Sequence, residues 1–168
     1  MPVRIATWNV NSVTARLPRL LDWLETRQPD VACLQELKVT EEAFPHLPVQ
    51  GLGYEAAVHA DGRWNGVAVL SRVGLDDVRR GLADEPGFPD PETRAVSAVC
   101  DGVLVRSVYV PNGRTPDDPH GEEGPGSHRP ASRGPDPLLV QLAAEQGADR
   151  EGERNRQAHI AHVEHGRV

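Results

Sequence analysis

The chain has 168 residues, a formal net charge of −7 and 38% apolar residues, which is material for one domain with a modest core. A negative sum argues against a general polyanion binder. Charge distribution, not the sum, guides a phosphate backbone, so Arg63, Arg72, Arg79, Arg80, Arg94, Arg106 and Arg114 form either a locally basic face or ordinary solvated surface. Cys33 and Cys100 fall in apolar strand-like runs without CxxC spacing and read as reduced core residues, not as a disulfide or zinc pair. No stretch reaches membrane-spanning length and the amino terminus enters a strand directly, so a cytoplasmic protein without a membrane partner is expected.

In chain order, Ile5 to Trp8 form a short β-compatible run that ends at Asn9, within the turn-like cluster Asn9-Val10-Asn11-Ser12. Val13, Leu17, Leu20, Leu21 and Leu24 then recur at helical three-and-four spacing, with Pro18 expected in the first turn and Pro29 stopping the run. Val31 to Leu34 is a buried strand that ends at Glu36. A right-handed crossover makes such strands parallel neighbours, which brings Asn9 and Glu36 to one carboxyl edge, where α/β ligands sit. A carboxylate beside a carboxamide suits a hard cation such as Mg²⁺; a turn asparagine and a loop glutamate are the bland alternative.

Farther along, Thr40 is expected to cap a short helical turn at 41–43 that Pro45 and Pro48 break. Tyr54 to Val58 and Gly66 to Leu70 are strand candidates on either side of an Asp61-Gly62 turn pair. Trp64 and Asn65 precede the second of them, the indole either packing on the sheet or bordering a ligand groove. Residues 73–93 are rich in Pro and Gly and read as loop with one edge strand near Val78. Arg94 to Cys100 and Val103 to Val110 form a hairpin across Asp101-Gly102, which carries Arg94 and Tyr109 to the same end.

Five segments together, Ala6-Thr7-Trp8-Asn9-Val10-Asn11-Ser12, Asp30 to Lys38, Gly66 to Arg72, Thr93 to Val96 and Ser107 to Gly113, closely resemble the exonuclease III family of the endonuclease/exonuclease/phosphatase superfamily, in order and at plausible distances. The resemblance runs from Met1 to about His120. It implies a two-sheet α/β sandwich and a DNA-repair phosphodiesterase that works with Mg²⁺, or Mn²⁺, on double-stranded DNA at 3′ ends or abasic sites. Carried over residue by residue, it makes Glu36 and Asn9 the metal residues and places the Tyr109 hydroxyl at the scissile phosphate, where charge develops. Asn11, Arg94, Asn112, Gly113, Trp64 and Asn65 become contacts to DNA or its phosphates.

After His120 the family pattern breaks. The Gly-Asp-x-Asn motif, a later aspartate and a terminal Asp-His pair that complete the family's site have no match, since Asp136, Asp149 and Asn155 stand in other contexts. The remaining text, Gly121 to Val168, lacks Phe, Trp and Tyr and opens on a run rich in Gly, Pro, Ser and Arg, so disorder is expected there, relieved at most by a short helix over 138–145. His159, His162 and His165 recur at three-residue steps without holding one helical face. The expected fold class is therefore α/β, an incomplete half of a two-sheet sandwich with a disordered carboxyl-terminal tail, its inner sheet face open and apolar. An abrupt change of text at this point suggests a frameshifted or truncated reading, and with it a weak or inactive nuclease. The competing expectation is a non-catalytic fragment that binds DNA or a partner, and a third is a phosphodiesterase of the same superfamily acting on another substrate.

Overall fold

The computed structural model describes residues 2–62, 64–81, 93–110, 139–144 and 159–163. Alternation along the first strand, β1 (Val3–Asn9), decides the layering. Val3 and Ile5 join one buried cluster, while Trp8 joins another on the opposite face. α1 (Val13–Arg27) and β2 (Val31–Gln35) follow, and the crossover leaves β1 and β2 parallel with Asn9 opposite Gln35. The Ser12 hydroxyl accepts the Ala15 N–H at 3.3 Å and so caps the helix, which Gln28 closes in a left-handed conformation at φ 46°. Pro18 lies inside the helix, not in its first turn, because the cap at Ser12 starts the helix early. Its ring removes one N–H from the ladder, a defect carried by packing of Leu20 and Leu24, both fully buried beyond it.

The prolines after Thr40 also act differently from expectation. The Ala43 N–H does bond the Thr40 hydroxyl at 3.3 Å. Pro45 then opens, and does not forbid, α2 (His46–Gly51), in which Pro48 occupies an early position where a missing N–H removes no helical bond. Beyond it run β3 (Glu55–His59), β4 (Val67–Ser71), the exposed edge strand β5 (Asp76–Arg80), and the hairpin of β6 (Ala95–Cys100) with β7 (Val103–Tyr109). Asp101 and Gly102 turn that hairpin at φ 47° and 75°, the left-handed pair that a two-residue connection needs.

β8 (Leu139–Ala144) and β9 (His159–Val163) complete two sheets, ordered β3-β4-β2-β1-β9 and β5-β6-β7-β8. Both helices supply residues to the cluster on the outer face of the first sheet, with Leu20, Leu24 and Val49 packed about Trp8, Leu34 and Leu70. The inner faces of the two sheets meet. Val31, Cys33 and Val69 from one pack with Val96, Ala98 and Val105 from the other. The inner face expected to stand open is thus covered, because the β6–β7 hairpin supplies the facing layer from residues close in sequence. Among the described residues the exposed large apolar side chains are Leu47, Trp64 and Val78, on three separate segments.

The tail expected to lack order contributes two strands. β8 runs parallel to β7 with Ala144 beside Tyr109, and β9 runs antiparallel to β1 with His159 beside Thr7. The segment read as a short helix is a strand, since an edge with unpaired backbone groups is a partner that local propensity does not register. His159 and His162 lie on a strand and not on a helix. The rest of the tail, including His165, lies outside the described residues. No helix among the described residues is long and apolar enough to cross a membrane.

Candidate active site

The two parallel strands end together. The Asn9 Nδ2 donates to Glu36 Oε1 at 2.7 Å, and Asn9 Oδ1 accepts the Asn11 N–H at 3.1 Å. The Asn9 carboxamide is thereby held at both ends, and Glu36 is held with it. Both side chains are buried, Asn9 7% and Glu36 4% exposed, so the carboxylate meets few waters and its orientation is set by protein. Backbone bonds lock the neighbouring loops: the Ser12 N–H donates to the Glu36 carbonyl at 2.8 Å and the Val13 N–H to the Leu37 carbonyl at 3.0 Å. Asn11, Ser12, Glu36 and Lys38 all take positive φ, between 45° and 91°. Asparagine tolerates such an angle, whereas for Ser12, Glu36 and Lys38 it costs about 1–3 kcal/mol each and persists where surrounding structure dictates it, commonly at functional sites.

The second sheet reaches the same edge. Gly66, just before β4, donates its N–H to the Thr93 carbonyl at 3.2 Å, and the Tyr109 N–H donates to the Arg94 carbonyl at 2.8 Å. Because β4 is antiparallel to β2 and β6 to β7, these bonds bring the carboxyl ends of β1, β2 and β7 to one rim. Deeper in the seam, Gln35 Nε2 donates to the hydroxyls of Thr7 at 3.1 Å and Ser107 at 3.2 Å, and the Ser107 hydroxyl donates to the Leu34 carbonyl at 3.2 Å. Gln35 and Ser107 are fully buried, so this polar bridge ties together the three strands that present Asn9, Glu36 and Tyr109.

Of the expected residues, Asn9 and Glu36 touch directly, and Asn11 touches Asn9. Arg94 and Tyr109 stand together on the facing hairpin, with Tyr109 8% exposed. Trp64 does not pack on the sheet; it is 79% exposed. Asn65 contributes its carbonyl, which accepts the Lys38 N–H at 3.1 Å. Asn112 and Gly113 lie outside the described residues. The arginines are dispersed: Arg79 pairs with Asp77 at 2.9 Å and Arg80 with Glu41 at 2.8 Å, which spends two positive charges on nearby acids.

Three residues of this rim escaped the sequence reading. Lys38 sets its Nζ 3.3 Å from Glu36 Oε2, with a hydrogen bond to Asn11 Oδ1 and the Trp64 ring centroid 5.5 Å away. Its place at the end of the Gln-Glu-Leu-Lys run was the available signal. Gly66 has φ 103° and a Cβ there would meet the Cβ atoms of Ala60 and Leu37 at 3.1 Å, so the backbone of the Glu36 loop approaches closely only because this residue has no side chain. Thr93 is buried with its hydroxyl unpartnered among the described residues, a feature no sequence signal carries.

The donor set fits a hard cation of the Mg²⁺ kind. Glu36 offers a carboxylate and Asn9 Oδ1 keeps a second lone pair beyond its bond to Asn11. No group of three His, Cys, Asp or Glu side chains that could hold a metal occurs among the described residues. One carboxylate with retained water and substrate phosphate is a mode Mg²⁺ accepts and zinc does not.

Comparison with known proteins gives this geometry its lineage. A family profile described as the Endonuclease/Exonuclease/phosphatase family matches residues 6–160, past the point near His120 where the motifs end. Among curated proteins, exodeoxyribonuclease III of Haemophilus influenzae is 33% identical over 117 residues, 67% of this chain and 43% of that protein. The DNA repair nuclease APEX1 of Danio rerio is 31% identical over 115 residues, 66% of this chain and 36% of that protein. The chain therefore spans under half the length of these curated relatives. Among solved structures, a 3′-5′ exonuclease of Neisseria meningitidis is 39% identical with a TM-score of 0.64, covering 70% of this chain and 45% of that one. An AP endonuclease of Archaeoglobus fulgidus is 36% identical with a TM-score of 0.65 over the same shares, 70% and 45%. A profile match over most of the chain, together with the two facing sheets and the Asn9–Glu36 rim, establishes that the chain belongs to the endonuclease/exonuclease/phosphatase family, its amino-terminal two-thirds being similar to exonuclease III.

Proposed function

We propose that this chain carries the metal-holding and phosphate-facing part of a Mg²⁺-dependent DNA-repair phosphodiesterase, of the 3′-5′ exonuclease or abasic-site endonuclease kind. The direct bond of Asn9 to Glu36 at 2.7 Å carries the reading, because it fixes a buried carboxylate at a sheet rim shared with Tyr109. Glu36 would hold Mg²⁺, or Mn²⁺, whose chemistry is to offset charge on the phosphate and activate water. Asn9 keeps the carboxylate turned toward the rim. Tyr109 donates its hydroxyl to a phosphate oxygen as charge develops, and Arg94 offers a guanidinium to the same group or a neighbouring phosphate. Asn11, Trp64 and Asn65 border the path of the DNA strand, and the family resemblance assigns Asn112 and Gly113 to the same contact.

Little or no cleavage is expected from the chain alone. The sequence supplies no match for the family's Gly-Asp-x-Asn motif or Asp-His pair. Loss of one preorganised group commonly costs about a hundred- to a thousandfold in rate. Groups acting as a unit fail as a unit, so losing several does not simply multiply that factor. The test is Mg²⁺-dependent nicking of an abasic-site duplex by the chain, by Glu36→Gln, and by a chimera whose second half comes from a complete relative. Cleavage by the chimera that Glu36→Gln abolishes supports the reading; a chimera indifferent to Glu36→Gln refutes it.

A second reading, a non-catalytic fragment that binds DNA, is favoured by the missing match for the family's Gly-Asp-x-Asn motif and Asp-His pair. Duplex binding without any Mg²⁺-dependent nicking by the unmodified chain is its signature.

A further inference from the structure

We propose that Lys38 is a contact to a nucleic-acid backbone phosphate, held at the rim by Glu36, Asn11 and the exposed face of Trp64. The inference rests on the DNA reading above and adds a residue to it.

Lys38 is placed against its local backbone preference. Lys38 takes φ 55°, a conformation suited to glycine or asparagine and strained for lysine. Fixing a long lysine side chain in one place also costs rotamer freedom. Asn9 donates to Glu36 Oε1 at 2.7 Å, and Lys38 takes the other carboxylate oxygen, Oε2. The strained backbone is enforced from both sides, by the Lys38 N–H to the Asn65 carbonyl and the Leu37 N–H to the Gly66 carbonyl, each 3.1 Å. The fold thus spends conformational strain to set one ammonium at the rim.

What the ammonium faces identifies its ligand. Its side chain is 25% exposed while that of Glu36 is 5% exposed, so the cation is the solvent-facing member of the pair. Two of its three N–H donors go to Asn11 and Glu36 among the described residues, and the indole of Trp64 lies 5.5 Å from it. That indole is 79% exposed. A bare aromatic face beside a fixed cation matches a polymer that alternates flat apolar rings with anionic phosphates. Free phosphate or an acidic peptide would use the cation and leave the indole in water.

The experiment is the salt dependence of binding, read by fluorescence anisotropy of a labelled duplex carrying a stable abasic analogue, without added metal. The wild-type chain, Lys38→Met, Lys38→Gln and Lys38→Arg are compared. Lys38→Gln keeps a polar donor on the side of Glu36 and Asn11 and Lys38→Met keeps the length of the chain, so the two together guard against a folding defect. Each neutral variant is expected to lower the slope of log K against log salt by about 0.9, the value for one duplex phosphate, while Lys38→Arg keeps the wild-type slope. Neutral variants with the wild-type slope, whatever their affinity, overturn the role of Lys38 and leave the DNA reading standing. A wild-type chain with no salt-dependent duplex binding overturns the DNA reading, and the inference with it.

Discussion

Gln35→Leu is the perturbation that most directly tests how the two sheets are kept in register. The side chain is 0% exposed and its Nε2 bonds Thr7 at 3.1 Å and Ser107 at 3.2 Å, while Ser107 retains its own bond to the Leu34 carbonyl. Leucine fits the space, so no large cavity opens. The loss is two buried hydrogen bonds and the desolvation of the two hydroxyls they served. A hydroxyl stranded without water costs about 1–3 kcal/mol, but Thr7 is only half-buried and Ser107 keeps one partner, which places the expected cost near the lower end, about 1–2 kcal/mol. Urea unfolding followed by circular dichroism reads this as a lower midpoint at unchanged slope. The bridge also predicts non-additivity: Thr7→Val, Gln35→Leu and Ser107→Ala combined should cost less than the sum of the three single changes, because none of the three side chains is then left with an unmet partner within the bridge. Costs that add to within about 0.5 kcal/mol would mean that the three side chains act independently and that the bridge does not hold the sheets together.

Gly66→Ala places a methyl group 3.1 Å from the Cβ atoms of Ala60 and Leu37 at φ 103°, so a loss of about 1–3 kcal/mol is expected in thermal melting. A melting temperature equal to the wild type would show that the Glu36 loop does not depend on this close approach. Burial pushes the Cys100 thiol from its ordinary 9.0 up to about 11, and burial pushes Cys33 further in the same direction. A raised value means that the folded chain keeps its protons while the unfolded chain loses them. The stabilising contribution is therefore complete below about pH 9 and declines as pH rises toward 11. The urea midpoint should fall across that window more steeply in the wild type than in the Cys33→Ala, Cys100→Ala double variant, and equal slopes would contradict the assignment.

The parts of the fold that were legible are those in which local chemistry and tertiary structure agree. The Val13 to Leu24 periodicity, the Pro29 stop and the Asp101-Gly102 turn each specify their element without help from distant residues, and the parallel crossover then dictates that Asn9 and Glu36 share an edge. Pro45 and Pro48 are ambiguous in the sequence because a proline breaks a helix from within yet starts one from its first turn, and nothing local distinguishes the two. Residues 139–144 misled for the opposite reason: their partner, β7, lies far away in sequence, and pairing with it outweighs a weak helical preference. Lys38 was passed over because its meeting with Glu36, Asn11 and Trp64 depends on positive φ at Glu36 and Lys38, and neither is a glycine or an asparagine that would announce such a bend.

The two late strands matter beyond pairing. β9 covers the open flank of β1 and β8 the open flank of β7, and each of those inner strands ends in a residue of the rim, Asn9 or Tyr109. Without their covers, both would present a row of free N–H and C=O groups along an apolar strand, which is a template for intermolecular pairing. The hazard in this chain is therefore at the flanks of the sheets and not across their faces. A change that loosens β8 or β9 would promote edge-to-edge assembly first and reach the rim second, through the strand it leaves uncovered.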